Sequence, residues 1–224
     1  MARKRPANRR EAKAREAQSR RNIQLTALGI LLLAAVGIVW LVVSWQSGKT
    51  DQVIKPLRWD SAPAMSIDVK KEYFATVNMA KGGNFVIQLF PDKAPLTVNN
   101  FVFLARQGFY NGVTFHRVID GFMAQGGDPT GTGFGDPGYK FANEDSYLTF
   151  DKAGLVAMAN SGRDTNCSQF FITFTPQEIL NGDYTIFGQV VEGMDVVNGF
   201  TRRNPDDQPN YPGDMILMIS IEEK

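Results

Sequence analysis

Short runs in which apolar and polar residues alternate occupy the last two thirds of the chain, and turn residues separate them. A period of two over four to eight residues predicts β-strands that are buried on one face. We expect eight strands, at positions 73–79, 84–90, 113–119, 122–125, 155–159, 169–174, 185–191 and 215–221. Lys81, Gly82 and Gly83 predict a hairpin turn between the first two strands.

A helical spacing of apolar residues occurs after Pro95, where Val98, Phe101 and Val102 recur at three- and four-residue steps. Proline favours the first turn of a helix, and Gly108 is suited to end it. A second, shorter helix is predicted over 193–200. Strands and helices do not alternate along the chain, which excludes a βαβ fold. The pattern predicts a mainly β domain over 68–224: a closed, eight-stranded antiparallel barrel capped by two helices.

Residues 23–45 form an apolar segment without a single charged side chain. A helix formed by the 21 residues from Leu25 to Trp45 would extend over about 31 Å, close to the roughly 30 Å hydrocarbon core of a bilayer. A cleaved signal peptide is one alternative, but its apolar core would be only about 7–15 residues long. A buried soluble helix is another, but the segment has no polar face. We therefore predict one transmembrane helix over 23–45.

Charge is distributed unevenly on the two sides of this segment. The full chain carries a net charge of +1, whereas the basic arm, residues 1–22, carries +7 and the remainder carries −6. The positive-inside rule then predicts a single-pass protein of the cell membrane, with a cytoplasmic N-terminus and an extracytoplasmic domain. The arm could instead bind nucleic acid, but topology and contact with anionic lipids explain it without that partner. Residues 46–67 are polar, contain two prolines and predict a linker.

Cys167 and His116 are the only residues of their types in the sequence. One cysteine excludes an internal disulfide and a thiolate metal cage, and one histidine leaves a single residue for any Ser-His chemistry. We expect no metal and no cofactor. Residues 133–138 match the GxGxxG dinucleotide fingerprint, but Pro137 and the absence of an amphipathic helical pattern after it argue against a nucleotide site.

Three stretches carry the functional signal: FHRVIDGFMAQGGD at 115–128, GTGFG at 131–135 and LVAMANSGRDTNCSQFFITF at 155–174. Together they strongly resemble the cyclophilin family of peptidyl-prolyl cis-trans isomerases, and the resemblance extends over 68–222. It implies the same eight-stranded barrel with two capping helices. It also implies an enzyme that acts on proline-containing polypeptides, here in a membrane-anchored, bacterial-like form.

Arg117 occupies the position of the catalytic arginine in the family. Rotation about an X-Pro bond crosses a barrier of about 18–20 kcal/mol, because resonance holds the C–N bond planar. At the twisted transition state the nitrogen regains a localised lone pair, so a donor aimed at it stabilises that state more than either planar ground state. A permanently charged guanidinium is suited to this task. An ordinary surface charge is the alternative reading of Arg117.

The resemblance also implies a substrate site beside Arg117. Gln125 would bond the substrate backbone, and the main chain of Asn160 would hold the residue before proline. The residues expected to line the proline pocket are Phe122, Met123, Phe171 and Leu180. Those expected to line the neighbouring groove are Gly131, Ala159, Ser161 and Gln169. Ordinary barrel core is the alternative for the apolar residues, but adjacent strand residues face opposite sides, so the Phe122–Met123 pair favours a site at a strand end.

Three further positions bear on the site. We expect His116, which should face away from Arg117, to be a hydrogen-bonded structural residue rather than a catalytic one. At the pocket rim, Ile179 stands where many eukaryotic cyclophilins have Trp, and Tyr184 stands where they have His. Some bacterial members are similar to this chain at position 184. Catalysis is compatible with both changes. Loss of the indole donor at position 179 predicts weak inhibition by cyclosporin.

Two functions follow from this reading. One is an anchored isomerase that assists the folding of extracytoplasmic clients. The other is a catalytically idle module that binds proline-containing segments. The presence of Arg117 together with the pocket residues favours the enzyme, since a pure binding module has no evident need for the arginine. We expect a monomeric domain that does not bind nucleic acid.

Overall fold

The computed structural model describes residues 57–224, which contain nine β-strands, two α-helices and two 3-10 helices, Glu178–Leu180 and Pro205–Asp207. The elements are β1 Tyr73–Met79, β2 Asn84–Leu89, α1 Pro95–Arg106, β3 Thr114–Phe115, β4 Arg117–Ile119, β5 Met123–Gly126, β6 Leu155–Met158, β7 Phe170–Thr173, β8 Ile186–Glu192, α2 Met194–Asn198 and β9 Asp214–Glu223. Within residues 57–224 no helix has the length and apolar character needed to cross a membrane. The basic arm, the predicted anchor over 23–45 and linker residues 46–56 lie outside the described residues.

The strands form one antiparallel sheet in the order β3-β9-β1-β2-β8-β6-β7-β5-β4. Its first and last strands, β3 and β4, are separated in the chain by His116 alone. Phe115 pairs with Asp214 of β9, whereas Arg117 pairs with Gln125 of β5. The single strand predicted over 113–119 is therefore two short strands, because the chain changes partner at His116. This exchange brings the two edges of the sheet together into a nearly closed barrel. The mainly β, antiparallel barrel with two helices is confirmed, and the predicted number of eight strands is wrong because the sheet has nine.

The barrel interior is filled by every second residue of the strands. One row across the sheet joins Val118, Ala124, Ile172 and Val156 in direct register, and all four are buried in the main hydrophobic core. Edge-to-face aromatic contacts extend this core, with the Phe170 ring 5.5–5.8 Å from three other aromatic rings. Because side chains alternate along a strand, the register of this inner row also sets which residues lie side by side on the outer face of the same four strands.

Helix α1 begins at Pro95, as predicted, and its apolar face packs into the core. No side chain at its own N-terminus caps it. The distant Glu144 carboxylate instead accepts hydrogen bonds of 2.9 and 2.8 Å from the backbone N–H groups of Leu96 and Thr97. A carboxylate at this position satisfies otherwise unpaired donors and complements the helix dipole. The helix thus ties the 141–150 loop to the barrel beside the site.

Residues 57–67, which we call the leading segment, pack on the domain, although they belong to the predicted linker. The Trp59 ring lies 5.1 Å from that of Phe103 and 6.0 Å from that of Phe109. The Asn99 side chain of α1 bonds the carbonyls of Pro63 and Ala64. The structure therefore moves the start of the folded unit ahead of residue 68, because an aromatic contact and amide hydrogen bonds hold this polar segment in place.

Candidate active site

The site is built on one row of the sheet that faces away from the barrel core. Arg117 pairs with Gln125, Gln125 with Phe171, and Phe171 with Ala157, on β4, β5, β7 and β6. Residues in direct register on adjacent strands point to the same face. The sheet therefore presents a cation, an amide and an aromatic ring side by side. The chain positions this trio by strand pairing rather than by a flexible loop.

Arg117 is half-buried at the edge of this row. One of its terminal nitrogens lies 3.6 Å from the Met123 sulfur, and its guanidinium carbon lies 5.7 Å from the centre of the Phe122 ring. None of the ion pairs between described residues includes Arg117. The thioether is a weak acceptor, and the ring face holds the cation without consuming its N–H donors. Most N–H donors of the guanidinium are therefore not paired with a carboxylate among residues 57–224.

A cavity of about 310 Å³ opens beside Arg117. Such a volume is at the lower end of small-ligand pockets and suits one ring with its flanking backbone. The residues that line the cavity were all predicted site residues: Arg117, Phe122, Met123, Gln125, Ala159, Asn160, Phe171, Leu180 and Tyr184. The structure therefore brings nine predicted residues to one opening.

Met123 begins β5, and Phe122 precedes it in the turn that follows β4, so the pair lies at a strand end, as predicted. This position lets both side chains reach the cavity, because Phe122 escapes the strict alternation of a strand. On the opposite wall the Phe171 ring meets Tyr184 edge to face at 5.3 Å and stacks on Phe150 at 5.8 Å. Six of the nine residues that line the cavity are therefore apolar or aromatic, and the other three are Arg117, Gln125 and Asn160.

A second cavity of about 230 Å³ adjoins the first, and both include Gln125, Ala159 and Asn160. Ser161 and Gln169 line it, as predicted. The Asn160 amide group is engaged locally, with Asp183 and Gly162. No backbone hydrogen bond to another described residue uses the N–H or C=O of Asn160. The main chain at this residue is therefore available to an extended peptide, which is the role the resemblance implies.

Two predicted residues lie elsewhere. Gly131 lines a third cavity of about 230 Å³, with Thr114, Asp128 and Arg203, rather than the predicted groove. The buried Asp128 carboxylate accepts bonds from Thr130 and Gly133 and turns the loop so that Gly131 faces Thr114. Ile179 lines neither of the first two cavities. Its side chain is 84% exposed next to Leu180, which agrees with a rim position.

His116 is buried, as expected of a structural residue, but the structure gives its Nδ1 atom no hydrogen-bond partner. The structure therefore agrees with the expected burial and shows no hydrogen bond at this one atom. Burial lowers the pKa of His116, the Asp128 carboxylate and a backbone hydrogen bond with Thr114 act to raise it, and the charges of Arg203 and Arg117 reinforce the effect of burial. The imidazole consequently favours its neutral form inside the protein. It does not line the cavity beside Arg117.

Sequence reasoning missed several residues of the second cavity. These are Phe134, Asp136, Lys140, Thr165 and Cys167. The glycines of 133–138 were the available signal, and the structure explains them by packing. A side chain at Gly135 would overlap the Asp128 carboxylate, and one at Gly138 would overlap the Trp59 carbonyl. The next element after this segment is the strand β6 and not a helix, in agreement with the rejection of a nucleotide fingerprint. Among residues 57–224 no cluster of His, Cys, Asp or Glu is arranged to hold a metal ion.

These features define what the site can do. An apolar cavity lies beside a cation whose donors are not committed to a carboxylate, and unpaired backbone groups flank it. The arrangement can bind a ring within an extended peptide and direct an N–H donor at it. It suits stabilisation of a localised lone pair, for which no nucleophile is required.

Comparison with known proteins agrees with this geometry. The family model described as cyclophilin-type peptidyl-prolyl cis-trans isomerase/CLD matches residues 74–221. Human peptidyl-prolyl cis-trans isomerase-like 1 is 50% identical over 133 residues, which cover 57% of this chain and 80% of the human protein. The isomerase ppi1 of Schizosaccharomyces pombe is 46% identical over 145 residues, which cover 62% of this chain and 94% of the yeast protein.

A crystal structure of a cyclophilin-type isomerase from Cryptosporidium parvum is also similar. It has a TM-score of 0.62 and 32% sequence identity, and the match covers 68% of this chain and 99% of that one. The same parasite protein determined in the presence of the dipeptide Ala-Pro gives a TM-score of 0.60. These relatives are eukaryotic and do not support the bacterial-like character expected from the sequence. On the family match and the shared fold, the chain belongs to the cyclophilin-type peptidyl-prolyl cis-trans isomerases.

Proposed function

We propose that this isomerase accelerates rotation about X-Pro bonds by placing the Arg117 guanidinium against the proline nitrogen as the bond twists. Planar cis and trans amides share their nitrogen lone pair with the carbonyl, so the donor gains little from either ground state. The twisted state offers a localised lone pair, and the hydrogen bond strengthens there. Selective binding of the transition state is what lowers the barrier.

The proline ring would occupy the 310 Å³ cavity between Phe122, Met123 and Phe171. Gln125 would donate to the substrate backbone, and the main chain of Asn160 would pair with the residue before proline. The Gln125 amide is preoriented for this, because its Nε2 donates to the Gln169 Oε1 atom at 2.9 Å. Fixing an amide before the substrate arrives reduces the entropy lost on binding.

One observation carries the proposal: Arg117, Gln125 and Phe171 stand in register on adjacent strands, with the cation directed at the cavity and paired to no carboxylate among the described residues. An ordinary surface charge is expected on open surface, whereas Arg117 lines a cavity together with Phe122, Met123 and Phe171. The Cryptosporidium parvum relative was crystallised in the presence of the dipeptide Ala-Pro, whose chemistry matches this proposal.

The proposal is tested with the full chain purified in detergent, by measuring cis-trans interconversion of an X-Pro peptide by exchange NMR. Acceleration that saturates with peptide and stops on heat denaturation is expected. The idle binding module makes a different prediction: the peptide would bind and perturb the resonances of the cavity residues, while its interconversion rate would stay at the uncatalysed value.

We further propose that the isomerase is anchored by residues 23–45 and acts on extracytoplasmic clients. The support is the uncharged apolar segment and the step from +7 before it to −6 over the remainder of the sequence. Protease added to intact cells, with any outer membrane permeabilised, should cut between the anchor and the domain and release an active isomerase. Protection of that region until the inner membrane is broken would overturn the assignment.

A further inference from the structure

We propose that the leading segment positions the outer wall of the substrate groove, with Trp59 as the positioning residue. Residues 133–136 form this wall and line the second cavity, and Pro137 and Gly138 follow them; we call residues 133–138 the groove loop. On the proposed function, that cavity receives residues that precede the proline. The inference therefore rests on the proposed function and adds to it: a segment outside the catalytic row would set how tightly longer substrates are held.

The leading segment contacts the groove loop directly. The Trp59 backbone N–H donates to the Pro137 carbonyl at 2.8 Å, and an Arg58 nitrogen lies 3.0 Å from the Asp136 Oδ1 atom. The same Asp136 oxygen accepts a hydrogen bond of 2.8 Å from the Gly138 N–H. Gly138 has a positive φ of 103°, and a side chain there would overlap the Trp59 carbonyl. The two segments therefore pack backbone to backbone.

The leading segment is itself held by the domain, so it can act as a support. The Trp59 indole packs edge to face against Phe103 at 5.1 Å, and it also contacts the Phe109 ring at 6.0 Å. Farther along, the Ser66 N–H and hydroxyl both donate to the Asn99 Oδ1 atom. The exposed Arg58–Asp136 ion pair adds little to this by itself. Removal of the indole should therefore release the support, whereas removal of the arginine alone should not.

From the groove loop a hydrogen-bond chain leads to the catalytic row. The Gln169 Nε2 donates to the carbonyls of Gly133 and Gly135, each at 3.0 Å. Its Oε1 atom accepts from Gln125, which neighbours Arg117 on the adjacent strand. The start of the loop is held separately, because the Gly133 N–H donates to the buried Asp128 carboxylate. Only the far end, residues 136–138, depends on the leading segment.

This division gives a local test that does not need catalysis. In full-length Trp59→Ala, hydrogen exchange at the Gly138 amide should accelerate about tenfold, while the Gly133 amide keeps its protection. Trp59→Phe retains an aromatic contact and should restore most of the protection at Gly138. Leu57→Ala, at an exposed neighbouring position, is the matched control and should change neither amide. Equal protection of Gly138 in wild type and Trp59→Ala would overturn the inference.

The functional arm compares two substrates. A blocked Ala-Pro peptide reaches only the first cavity, and a peptide with three further residues before the alanine also reaches the second. Trp59→Ala should raise the KM of the longer peptide about fivefold and leave kcat/KM of the short one within about twofold. Equal effects on both peptides would show a merely structural role and contradict the inference.

Gly138→Ala provides the same disturbance from the opposite side, and it decides the question if Trp59→Ala does not fold. Gly138→Ala should weaken binding of the longer peptide and leave binding of the short peptide nearly unchanged. If wild type turns over neither peptide, the proposed function fails, and calorimetric binding of the two peptides still decides the inference. Stronger binding of the longer peptide that is lost in Trp59→Ala supports the positioning role, and equal binding in both proteins refutes it.

Discussion

The two faces of the same four strands show how one sequence separates stability from chemistry. On the inner face, Val118, Ala124, Ile172 and Val156 are at most 1% exposed and belong to the main core. On the outer face Arg117 and Gln125 are half-buried beside the site cavity, while Phe171 and Ala157 are buried in a second, smaller apolar cluster. Successive residues therefore serve different purposes, because a strand alternates its side chains.

The outer cluster resembles a small core that is missing one component. Met123, Phe150 and Phe171 are buried there, while Phe122, Leu180 and Tyr184 are only partly buried against them. An apolar ligand would complete the packing of these half-buried side chains. From this difference we expect a substitution on the inner face to change the free energy of unfolding. A substitution at the half-buried side chains of the outer face should mainly change ligand binding.

The largest effect is expected from Phe170→Ala on the inner face. This fully buried ring contacts Phe101, Tyr110 and Phe115, and its removal should lower the free energy of unfolding by about 3–5 kcal/mol. Denaturant unfolding of the full chain measures this. Molecules that remain folded should keep a normal KM for an X-Pro peptide. A changed KM with unchanged stability would break the proposed division between the faces.

A rim substitution should come next in size. Ile179 offers no hydrogen-bond donor to cyclosporin, so the drug should bind about 1–3 kcal/mol less tightly than it would to an indole donor. Ile179→Trp should therefore increase sensitivity roughly ten- to a hundredfold without altering peptide turnover. Inhibition curves for the two proteins check this, and nanomolar inhibition of the unmodified protein would contradict it.

Phe122→Ala tests the outer face itself. The ring is half-buried, contacts the Arg117 cation and forms one wall of the cavity. Its loss should remove about 1 kcal/mol of ligand burial and raise KM about fivefold. The melting temperature should change far less than in Phe170→Ala. A loss of stability equal to that of Phe170→Ala would show that Phe122 is ordinary core.

The smallest effect concerns His116, at the junction where the sheet changes partner. Burial holds its pKa below the ordinary 6.5, so the unfolded chain takes up a proton first as the pH falls below that value. Its contribution to stability is complete above pH 6.5 and is lost as the pH falls towards the lowered pKa. Melting temperatures at pH 7.5 and 5.5 should therefore diverge more in wild type than in His116→Gln. An equal difference in both proteins would assign the pH dependence to carboxylates.

Much of the fold and site was accessible from sequence, because local patterns determine them. The strand containing Met123 and the helix beginning at Pro95 follow from periodicity and proline. Seven of the nine cavity residues lie in the three motifs, and Leu180 and Tyr184 come from the wider resemblance. Contacts between distant segments were not accessible. The partner change at His116 depends on β9, the N-terminus of α1 depends on Glu144, and the packing of Trp59 depends on Phe103. No local pattern encodes these pairings.

Gly131 shows the same limit within the site. Its motif predicted a groove position, but the Asp128 carboxylate turns the loop and directs this glycine to a separate cavity. Asp128 is fully buried, and hydrogen bonds from Thr130, Gly135 and Gly133 lower the pKa of this carboxyl although burial acts to raise it. A buried acid that organises a loop is recognisable only when its donors are known.

The central claim is that Arg117 acts on the transition state and contributes little to the fold. The most direct measurement compares kcat/KM for an X-Pro peptide and the melting temperature in wild type, Arg117→Ala and Arg117→Lys. Removing a donor of this kind should reduce kcat/KM about 100- to 1000-fold. Lysine keeps the charge but not the planar fork and should recover only part of the loss. We predict that all three proteins melt at nearly the same temperature. Near-normal kcat/KM in a fully folded Arg117→Ala protein would contradict the account.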